Sequence, residues 1–203
     1  MAKKPLYGVD FSHWQTESDC YSHFPSADFV ILKITEGETM TDRKFNKYYE
    51  IAKSCGVKLF GAYHFYNALK SPEQNAKNYL NAIKKYLGND NMLLAVDIEG
   101  KHAQKAGIWD NILAWCNIVE EETGIKPLVY TNADNVQYMQ KLFDNDNGLW
   151  VAHYTEKSAP RTYMYGKLWA IWQYTRKPID YNIFNGNENQ FKKYCKSNKK
   201  VVD

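Results

Sequence analysis

The sequence lacks the features that would place it in several common classes of protein. No run of about 18 apolar residues occurs in the 203-residue chain, so neither a membrane-spanning helix nor a membrane partner is expected. The chain begins Met-Ala-Lys-Lys-Pro and leads directly into Tyr7-Gly8-Val9-Asp10, without an apolar core that would predict an export signal. A formal net charge of only +3, with no interleaving of basic and aromatic residues, argues against nucleic acid as a partner.

Patterns typical of metal and redox sites are also missing. The four cysteines, Cys20, Cys55, Cys116 and Cys195, form no CxxC pair, and the histidines show neither HxH nor HExxH spacing. We therefore expect no metal and no cofactor. An even number of cysteines permits one or two disulfides, but free thiols fit equally well because a domain of this size does not need cross-links.

No Pro/Gly/Ser-rich linker, low-complexity tract or internal repeat divides the chain. Its length suffices for one sizeable core and is near the lower limit for a complete eight-stranded β/α barrel. We expect a monomer with a single domain over residues 1–203, in which a core of about 6–186 precedes a C-terminal helix and tail over 187–203. Charge runs are usually solvated, so we assign no function to the clustered lysines Lys192, Lys193, Lys196, Lys199 and Lys200.

The most informative stretch, residues 92–100, is an apolar run that ends in two acids and a glycine. It is rich in strand-forming residues and too short for a typical helix, so it predicts a buried β-strand. Side chains alternate along a strand, so Asp97 and Glu99 share one face with Ala95, and their backbones lie roughly 6.6 Å apart. Burying two acids costs several kcal/mol unless they are paired, hydrogen-bonded or protonated, which indicates a catalytic use.

Seven other apolar or β-branched runs predict further strands, and patterns with helical spacing separate most of them. Helices are predicted over 45–55, 71–87, 108–124 and 135–143, whereas the later connections look short or irregular. This alternation favours a parallel sheet, and eight strands in this length favour a single α/β domain, a TIM-like β/α barrel with a reduced set of outer helices. The predicted strands cover 7–11, 29–35, 59–66, 92–100, 127–131, 149–154, 168–174 and 179–184.

Polar and aromatic side chains gather toward the carboxyl ends of these strands, the face on which such barrels carry their chemistry. Aromatic residues make up 15% of the chain, and flat rings with polar edges suit sugar-binding clefts as well as cores. The acids expected on this face are Asp10, Asp97, Glu99 and Asp180. The side chains expected to bind substrate are Tyr63, His64, Tyr66, Tyr130, Trp150, His153, Trp172 and Gln173.

Two neighbouring carboxyl groups suggest glycoside hydrolysis, which needs a protonated acid for the leaving oxygen and a negative charge near the developing oxocarbenium ion. Repulsion and burial can raise one pKa while hydrogen bonds keep the other group ionised. We predict that Glu99 donates the proton and that Asp97 stays charged. Asp97 would either attack C1 or orient the substrate's own N-acetyl group as the nucleophile, and the backbone spacing does not decide between these two mechanisms.

Structural roles compete with the functional ones. Asp10 also fits a turn or a helix cap at a strand end, and Asp180 fits a loop after Pro178. His64 and His153 also fit core histidines with satisfied hydrogen bonds; otherwise they would orient the acids or contact substrate. The aromatic residues fit a role as filler of the barrel core equally well.

Four spaced segments resemble the signature segments of glycoside hydrolase family 25, the Chalaropsis-type lysozymes of bacteria, phages and fungi. They are YGVDFSHWQ at 7–15, GAYHF at 61–65, VDIE at 96–99 and WQY at 172–174, and the likeness runs over about 7–186. The resemblance implies a flattened, irregular β/α barrel and β-1,4-N-acetylmuramidase activity on peptidoglycan, with retention and substrate assistance. By matched position it makes Glu99 the general acid, Asp97 its partner, and Asp10 and Asp180 further acids of the cleft.

Two other functions fit parts of this pattern. A chitinase-like N-acetylglucosaminidase also uses Asp-x-Glu on a fourth strand, but Met92 and Ala95 occupy two aspartate positions of its fuller DxxDxDxE motif. A catalytically inactive glycan-binding barrel would keep the cleft, although the intact Asp97 and Glu99 argue against it. The sequence therefore predicts a lysozyme with peptidoglycan glycan strands as its partner, secreted or released in phage lysis to act on the cell wall.

Overall fold

A single nine-stranded sheet organises the computed structural model, which describes residues 5–88, 92–155 and 158–197. The strands follow the order β1-β9-β8-β7-β6-β5-β4-β2-β3, and pairing of β1 with β2 closes eight of them into a barrel. The two-residue β3 lies outside the ring as a hairpin on β2. The bounds are β1 Leu6–Phe11, β2 Phe29–Glu36, β3 Met40–Thr41, β4 Leu59–Phe65, β5 Met92–Asp97, β6 Leu128–Asn132, β7 Leu149–Ala152, β8 Ile171–Thr175 and β9 Asp180–Phe184.

Seven α-helices accompany the described part of the sheet, with none between β7 and β8 or between β8 and β9. They are α1 Glu17–His23, α2 Phe45–Ser54, α3 Pro72–Ile83, α4 Gly100–Ala103, α5 Ile108–Thr123, α6 Gln140–Asp144 and α7 Glu188–Tyr194. Single 3-10 segments cover Phe24–Ser26, Lys84–Tyr86, Ala133–Tyr138 and Thr162–Tyr165. The predicted helix over 135–143 is thus a 3-10 segment followed by α6, and α1 was not predicted although Thr16 and Asp19 form its capping box.

All eight predicted barrel strands are present, which confirms an α/β barrel with a reduced set of outer helices. The expectation of an entirely parallel sheet is wrong for one strand. β9 pairs antiparallel with both β1 and β8, because residues 176–179 alone connect β8 to β9 and a parallel crossover needs a dozen or so residues.

Side chains of β5 alternate between two apolar layers. Leu93 and Ala95 belong to the cluster that fills the barrel, whereas Leu94 and Val96 belong to the cluster between the barrel and its helices. The same two-residue alternation places the Asp97 side chain on the inner face above Ala95, as the sequence predicts.

Helix α3 is fastened to the outside of the barrel by its cap and its apolar stripe. Ser71 and Gln74 form the predicted capping box, with the Gln74 backbone N–H donating to Ser71 Oγ at 3.3 Å. The Tyr79 hydroxyl is buried and donates to the carbonyl of Ala62 on β4 at 2.9 Å. This contact fixes the outer layer against the strand that neighbours β5.

The C-terminal helix α7 closes the barrel at the end where the parallel strands begin. Phe191 is fully buried among Phe29 and Phe184, with ring centroids 5.3 and 5.1 Å apart, respectively. Phe191 and Cys195 thus belong to the apolar cluster that fills the barrel. The predicted tail over 198–203, including Lys199 and Lys200, lies outside the described residues.

Cys20, Cys55 and Cys116 carry free thiols, and Cys20, Cys116 and Cys195 are buried. Within the described ranges, no helix has both the length and the apolar character needed to cross a bilayer.

We propose that α7 and the barrel unfold as one domain, and Phe191→Ala tests this. The substitution is expected to lower the free energy of unfolding by about 3–5 kcal/mol while keeping a single transition, because it empties the floor of the core. Urea unfolding followed by tryptophan fluorescence and circular dichroism would measure it. Tyr21→Ala, at an exposed position of α1, is the control and should change stability by less than about 0.5 kcal/mol. Two separate transitions would contradict the proposal.

Candidate active site

A cleft of about 290 Å³ opens at the carboxyl ends of the parallel strands. All four predicted acids line it, together with three of the predicted aromatic residues. The lining residues are Asp10, Ser12, Trp14, Gln15, Lys33, Tyr63, Phe65, Asp97, Glu99, Tyr130, Trp150, Tyr154, Gln173, Arg176 and Asp180.

The backbone of β5 explains why its two acids point the same way. Asp97 is the last residue of the strand, and Glu99 follows in an extended conformation with φ −148° and ψ 176° before α4 begins. The alternation of side chains therefore continues past the strand, and both carboxyl groups face the cleft. Asp97 is buried, whereas Glu99 is half-buried and nearer to solvent.

Asp10 and Asp180 are cross-strand partners in the antiparallel pair of β1 and β9. Asp180 is the first residue of its strand, so in an all-parallel barrel it would lie at the end opposite to Asp10. The reversed direction of β9 brings it to the cleft instead. The predicted location of Asp180 holds, but the reason is an antiparallel strand.

Two buried amides hold Asp10 in position. Its Oδ2 atom accepts a hydrogen bond from Gln173 Nε2 at 2.8 Å and another from Asn182 Nδ2 at 2.7 Å. Both donors favour the ionised carboxylate.

The same amides are fixed by aromatic donors at their other ends. The hydroxyls of Tyr130 and Tyr154 donate to Gln173 Oε1 at 3.0 and 2.9 Å, respectively. Trp150 Nε1 donates to Asn182 Oδ1 at 2.8 Å. Gln173, predicted to bind substrate, thus has both ends of its amide engaged, so its contacts make it a positioning residue for Asp10.

Burial raises the pKa of all four carboxyl groups, and repulsion between neighbouring acids adds to the shift for Asp10, Asp97 and Asp180. Burial, followed by the charge of Asp180, raises the pKa of Asp10 well above its ordinary value, against the effect of the two amide donors. The pKa of Asp180 rises to about 6, mainly through burial and then through Glu99, while Arg176 opposes the shift. These shifts favour the protonated form of the cleft acids, and a general acid must carry a proton.

The two acids of β5 are also shifted, and Asp97 is shifted further than the sequence analysis expected. Burial raises the pKa of Asp97 well above its ordinary value, with Glu99 and Asp10 adding to the effect. Burial also raises the pKa of Glu99. We predicted that Asp97 stays charged, but its deeper burial favours the protonated carboxyl group.

Lys33 is a cleft residue that the sequence analysis missed. It lies on β2 with 6% exposure, its Nζ is 2.5 Å from a carboxylate oxygen of Glu36, and it sits 4.6 Å from the ring centroid of Phe65. Its charge lowers the pKa of both Asp97 and Glu99. The signal was available, because a lysine inside the β-branched run VILKIT is as expensive to bury as an acid.

His64 does not reach the cleft, which corrects the expectation that it contacts substrate. It faces the layer between β4 and the helices, where Nε2 lies 3.0 Å from Asn75 Oδ1 and Nδ1 lies 2.8 Å from Thr35 Oγ1. The ring stacks on Trp115, and burial lowers the pKa of His64 to about 4. His64 is therefore a neutral histidine that ties the barrel to α3.

Three more predicted binding residues lie outside the cleft lining. Tyr66 is fully buried in the outer apolar cluster, because it follows β4 on the helix side. Trp172 alternates with the inward-facing Ile171 and Gln173, and its Nε1 donates to the carbonyl of His153 at 2.8 Å. The contribution of His153 is therefore this backbone carbonyl, which accepts the hydrogen bond from Trp172.

The closed α/β barrel and its carboxyl-lined cleft define a glycoside hydrolase of the barrel class. Residues 9–183 match the family model described as Glycosyl hydrolases family 25, and the chain belongs to this family. This confirms the resemblance seen in the four sequence segments.

Individual relatives agree with this assignment. The chain is 28% identical over 209 aligned residues to the uncharacterized protein YegX of Escherichia coli K12, covering 95% of this chain and 74% of YegX. It is 27% identical to the N,O-diacetylmuramidase of Arthroderma benhamiae, covering 94% and 87%, respectively. A solved muramidase from Acremonium alcalophilum is similar with a TM-score of 0.77 at 25% identity, covering 94% of this chain and 98% of that one.

The burial of Asp97 predicts that Asp97→Asn stabilises the fold. Its folded pKa lies above the unfolded value, so ionisation of Asp97 destabilises the fold increasingly as pH rises above about 4. The substitution should add about 1–3 kcal/mol to the free energy of unfolding at pH 7 and less at pH 4.5, measured by urea denaturation.

Asp110→Asn is the matched control, because Asp110 is exposed on α5 and pairs with Lys141 at the surface. It should have little effect at either pH. If Asp97→Asn were no more stable than the wild type at pH 7, other groups in the fold would compensate the cost of burying this carboxylate.

Proposed function

We propose that the protein is a lysozyme, a β-1,4-N-acetylmuramidase that hydrolyses the bond between N-acetylmuramic acid and N-acetylglucosamine in peptidoglycan. The observation that carries the proposal is the inward-facing pair of Asp97 and Glu99 at the carboxyl end of β5, inside a cleft with two further acids. The names of the relatives from Arthroderma benhamiae and Acremonium alcalophilum, both muramidases, support the same bond type.

Glu99 is the general acid in this proposal. It is the more accessible of the two acids on β5, so its carboxyl group meets a glycosidic oxygen at the mouth of the cleft. Burial raises its pKa, which keeps a larger fraction protonated near neutral pH. After bond cleavage the same group, now ionised, accepts a proton from the attacking water.

Asp97 acts at the sugar itself. Its buried Oδ1 has no hydrogen-bond partner among the described residues, so it offers an acceptor to a bound ligand. The N–H of the substrate's acetamido group fits this acceptor, and its carbonyl oxygen would then attack C1, giving retention by substrate assistance. Direct attack by Asp97 through a covalent intermediate is the alternative. Direct attack requires an ionised Asp97, whereas substrate assistance requires an Asp97 oxygen that accepts the hydrogen bond of the acetamido N–H.

Aromatic rings provide the remaining walls for a glycan strand. Tyr63, Tyr130 and Trp150 lie inside the cleft, and Trp14 stands at its mouth with 80% exposure. Such rings stack on the apolar faces of sugars. We infer that the monomeric enzyme works at the cell wall, whether by secretion or in phage lysis.

Clearing of purified bacterial walls tests the function. Glu99→Gln should lower the rate by about 10²–10⁴-fold because glutamine cannot donate the proton, and Asp97→Asn should also be strongly impaired. Glu121→Gln, at an exposed position of α5, should retain full activity. Reducing ends of the released fragments should be muramic acid.

Other outcomes would identify the alternatives. Reducing ends of N-acetylglucosamine would indicate the chitinase-like specificity. The buried Ala95 argues against that outcome, because it occupies a position that is aspartate in the chitinase-like motif. No turnover of any wall or chitin substrate would indicate a glycan-binding barrel. Full activity of folded Glu99→Gln would remove Glu99 as the acid.

The pH profile tests the influence of Lys33. Activity needs a protonated acid and falls as pH rises past its pKa, which Lys33 lowers. Lys33→Met should therefore move the alkaline limb of kcat/KM to higher pH. Lys47→Met, which removes an exposed pair with Glu17, should leave the limb in place. An unchanged limb in Lys33→Met would exclude Lys33 from setting the pKa of the acid.

A further inference from the structure

A second pocket, of about 380 Å³, lies at the end of the barrel opposite to the cleft. It surrounds the starts of the parallel strands β6, β7 and β8 and one side of α7. Four of its eight lining residues are lysines. The lining residues are Lys126, Asp146, Gly148, Lys167, Gln190, Lys193, Tyr194 and Lys196.

The fold brings these lysines together from separate segments. Lys126 precedes β6, Lys167 precedes β8, Lys193 lies on α7 and Lys196 follows it. Tyr194 provides a wall, and a Cβ atom at Gly148 would lie only 2.9 Å from its ring. The pocket is thus a product of tertiary structure, and the sequence showed only the cluster around α7.

Charge is distributed unevenly between the two ends of the barrel. Four lysines and one aspartate give the pocket a formal charge of +3, equal to the net charge of the whole chain. The cleft has four acids against Lys33 and Arg176, a formal charge of −2. An anionic polymer is therefore attracted to the pocket.

The lysines differ in their availability. Lys126 Nζ lies 3.2 Å from Glu120, and Lys167 Nζ lies 2.6 Å from Asp146. In the described part of the chain, Lys193 and Lys196 are exposed and have no carboxylate partner. These two ammonium groups are free to meet a ligand.

We propose that this basic pocket binds a linear polyanion, a polyol or sugar chain linked by phosphodiesters, and so holds the enzyme on its wall substrate. Lysine ammonium groups bind phosphate as point charges and do not require the bidentate geometry of arginine. Gln190 and Tyr194 add polar groups for the hydroxyls of such a chain. Because the exposed lysines stand at the edge of the pocket, successive phosphates along a polymer contact successive charges.

The site is separate from the proposed hydrolysis, because it lies at the other end of the barrel. Binding is therefore testable whether or not the chain proves to be a muramidase. We expect saturable binding of soluble poly(glycerol phosphate), measured by calorimetry with the full chain, that weakens as salt rises from 50 to 200 mM.

Lys193→Gln combined with Lys196→Gln should weaken this binding by about 10- to 30-fold. The matched control, Lys77→Gln combined with Lys84→Gln, removes the same charge from exposed positions at α3 and the following 3-10 segment and should weaken it less than about threefold. Asp146→Asn should strengthen it, because it removes the negative charge of the pocket, and asparagine tolerates the left-handed backbone found there at φ 59°.

Hydrolysis of soluble peptidoglycan fragments that carry no phosphodiester polymer should be the same in the Lys193/Lys196 double variant as in wild type. If both double variants weakened polymer binding equally, the effect would come from net charge alone, and the proposed binding site would be wrong. Equal affinity for inorganic phosphate and the polymer would overturn the polymeric ligand. Equal or tighter binding of polyglutamate or single-stranded nucleic acid would overturn the assigned chemistry.

Discussion

The burial of four carboxyl groups at one end of a closed barrel constrains the rest of this structure. Asp10, Asp97, Glu99 and Asp180 share a cleft whose walls are largely protein, where like charges repel more strongly than in water. Few groups stabilise the ionised carboxylates. Two amides donate hydrogen bonds to Asp10, and the positive charges of Lys33 and Arg176 lower the pKa values of Asp97 and Asp180, respectively. Burial and repulsion both favour proton uptake by these acids, and in the proposed mechanism the proton donor is Glu99, whose pKa is raised by burial.

Stability for such a site has to come from elsewhere in the molecule. Two apolar layers provide it, one inside the barrel and one beneath the helices, and Phe191 seals the inner layer far from the acids. His64 contributes to the outer layer as a neutral, fully hydrogen-bonded side chain. A residue within a family signature segment thus belongs to the scaffold, whereas the acids that line the cleft belong to the proposed catalytic site.

Much of this arrangement could be predicted from the sequence because it follows from local rules. The period of two along residues 92–97 places Asp97 inward, and an acid inside an apolar run is too expensive to be incidental. Other features depend on long-range geometry. The direction of β9 decides where Asp180 lies, and the face of β4 decides that His64 packs against α3. Convergence of Lys126, Lys167 and Lys193 requires three separate segments to meet, which no local pattern encodes.

The antiparallel course of β9 also determines how the molecule can be joined to others. Leu6 at the start of β1 is the cross-strand partner of Phe184 at the end of β9, so the first strand enters and the last strand leaves on the side away from the cleft. Helix α7 remains on that side as the floor of the barrel. A module fused ahead of β1 or behind α7 would consequently emerge behind the catalytic opening, and the enzyme could carry one at either end with its glycan path unobstructed.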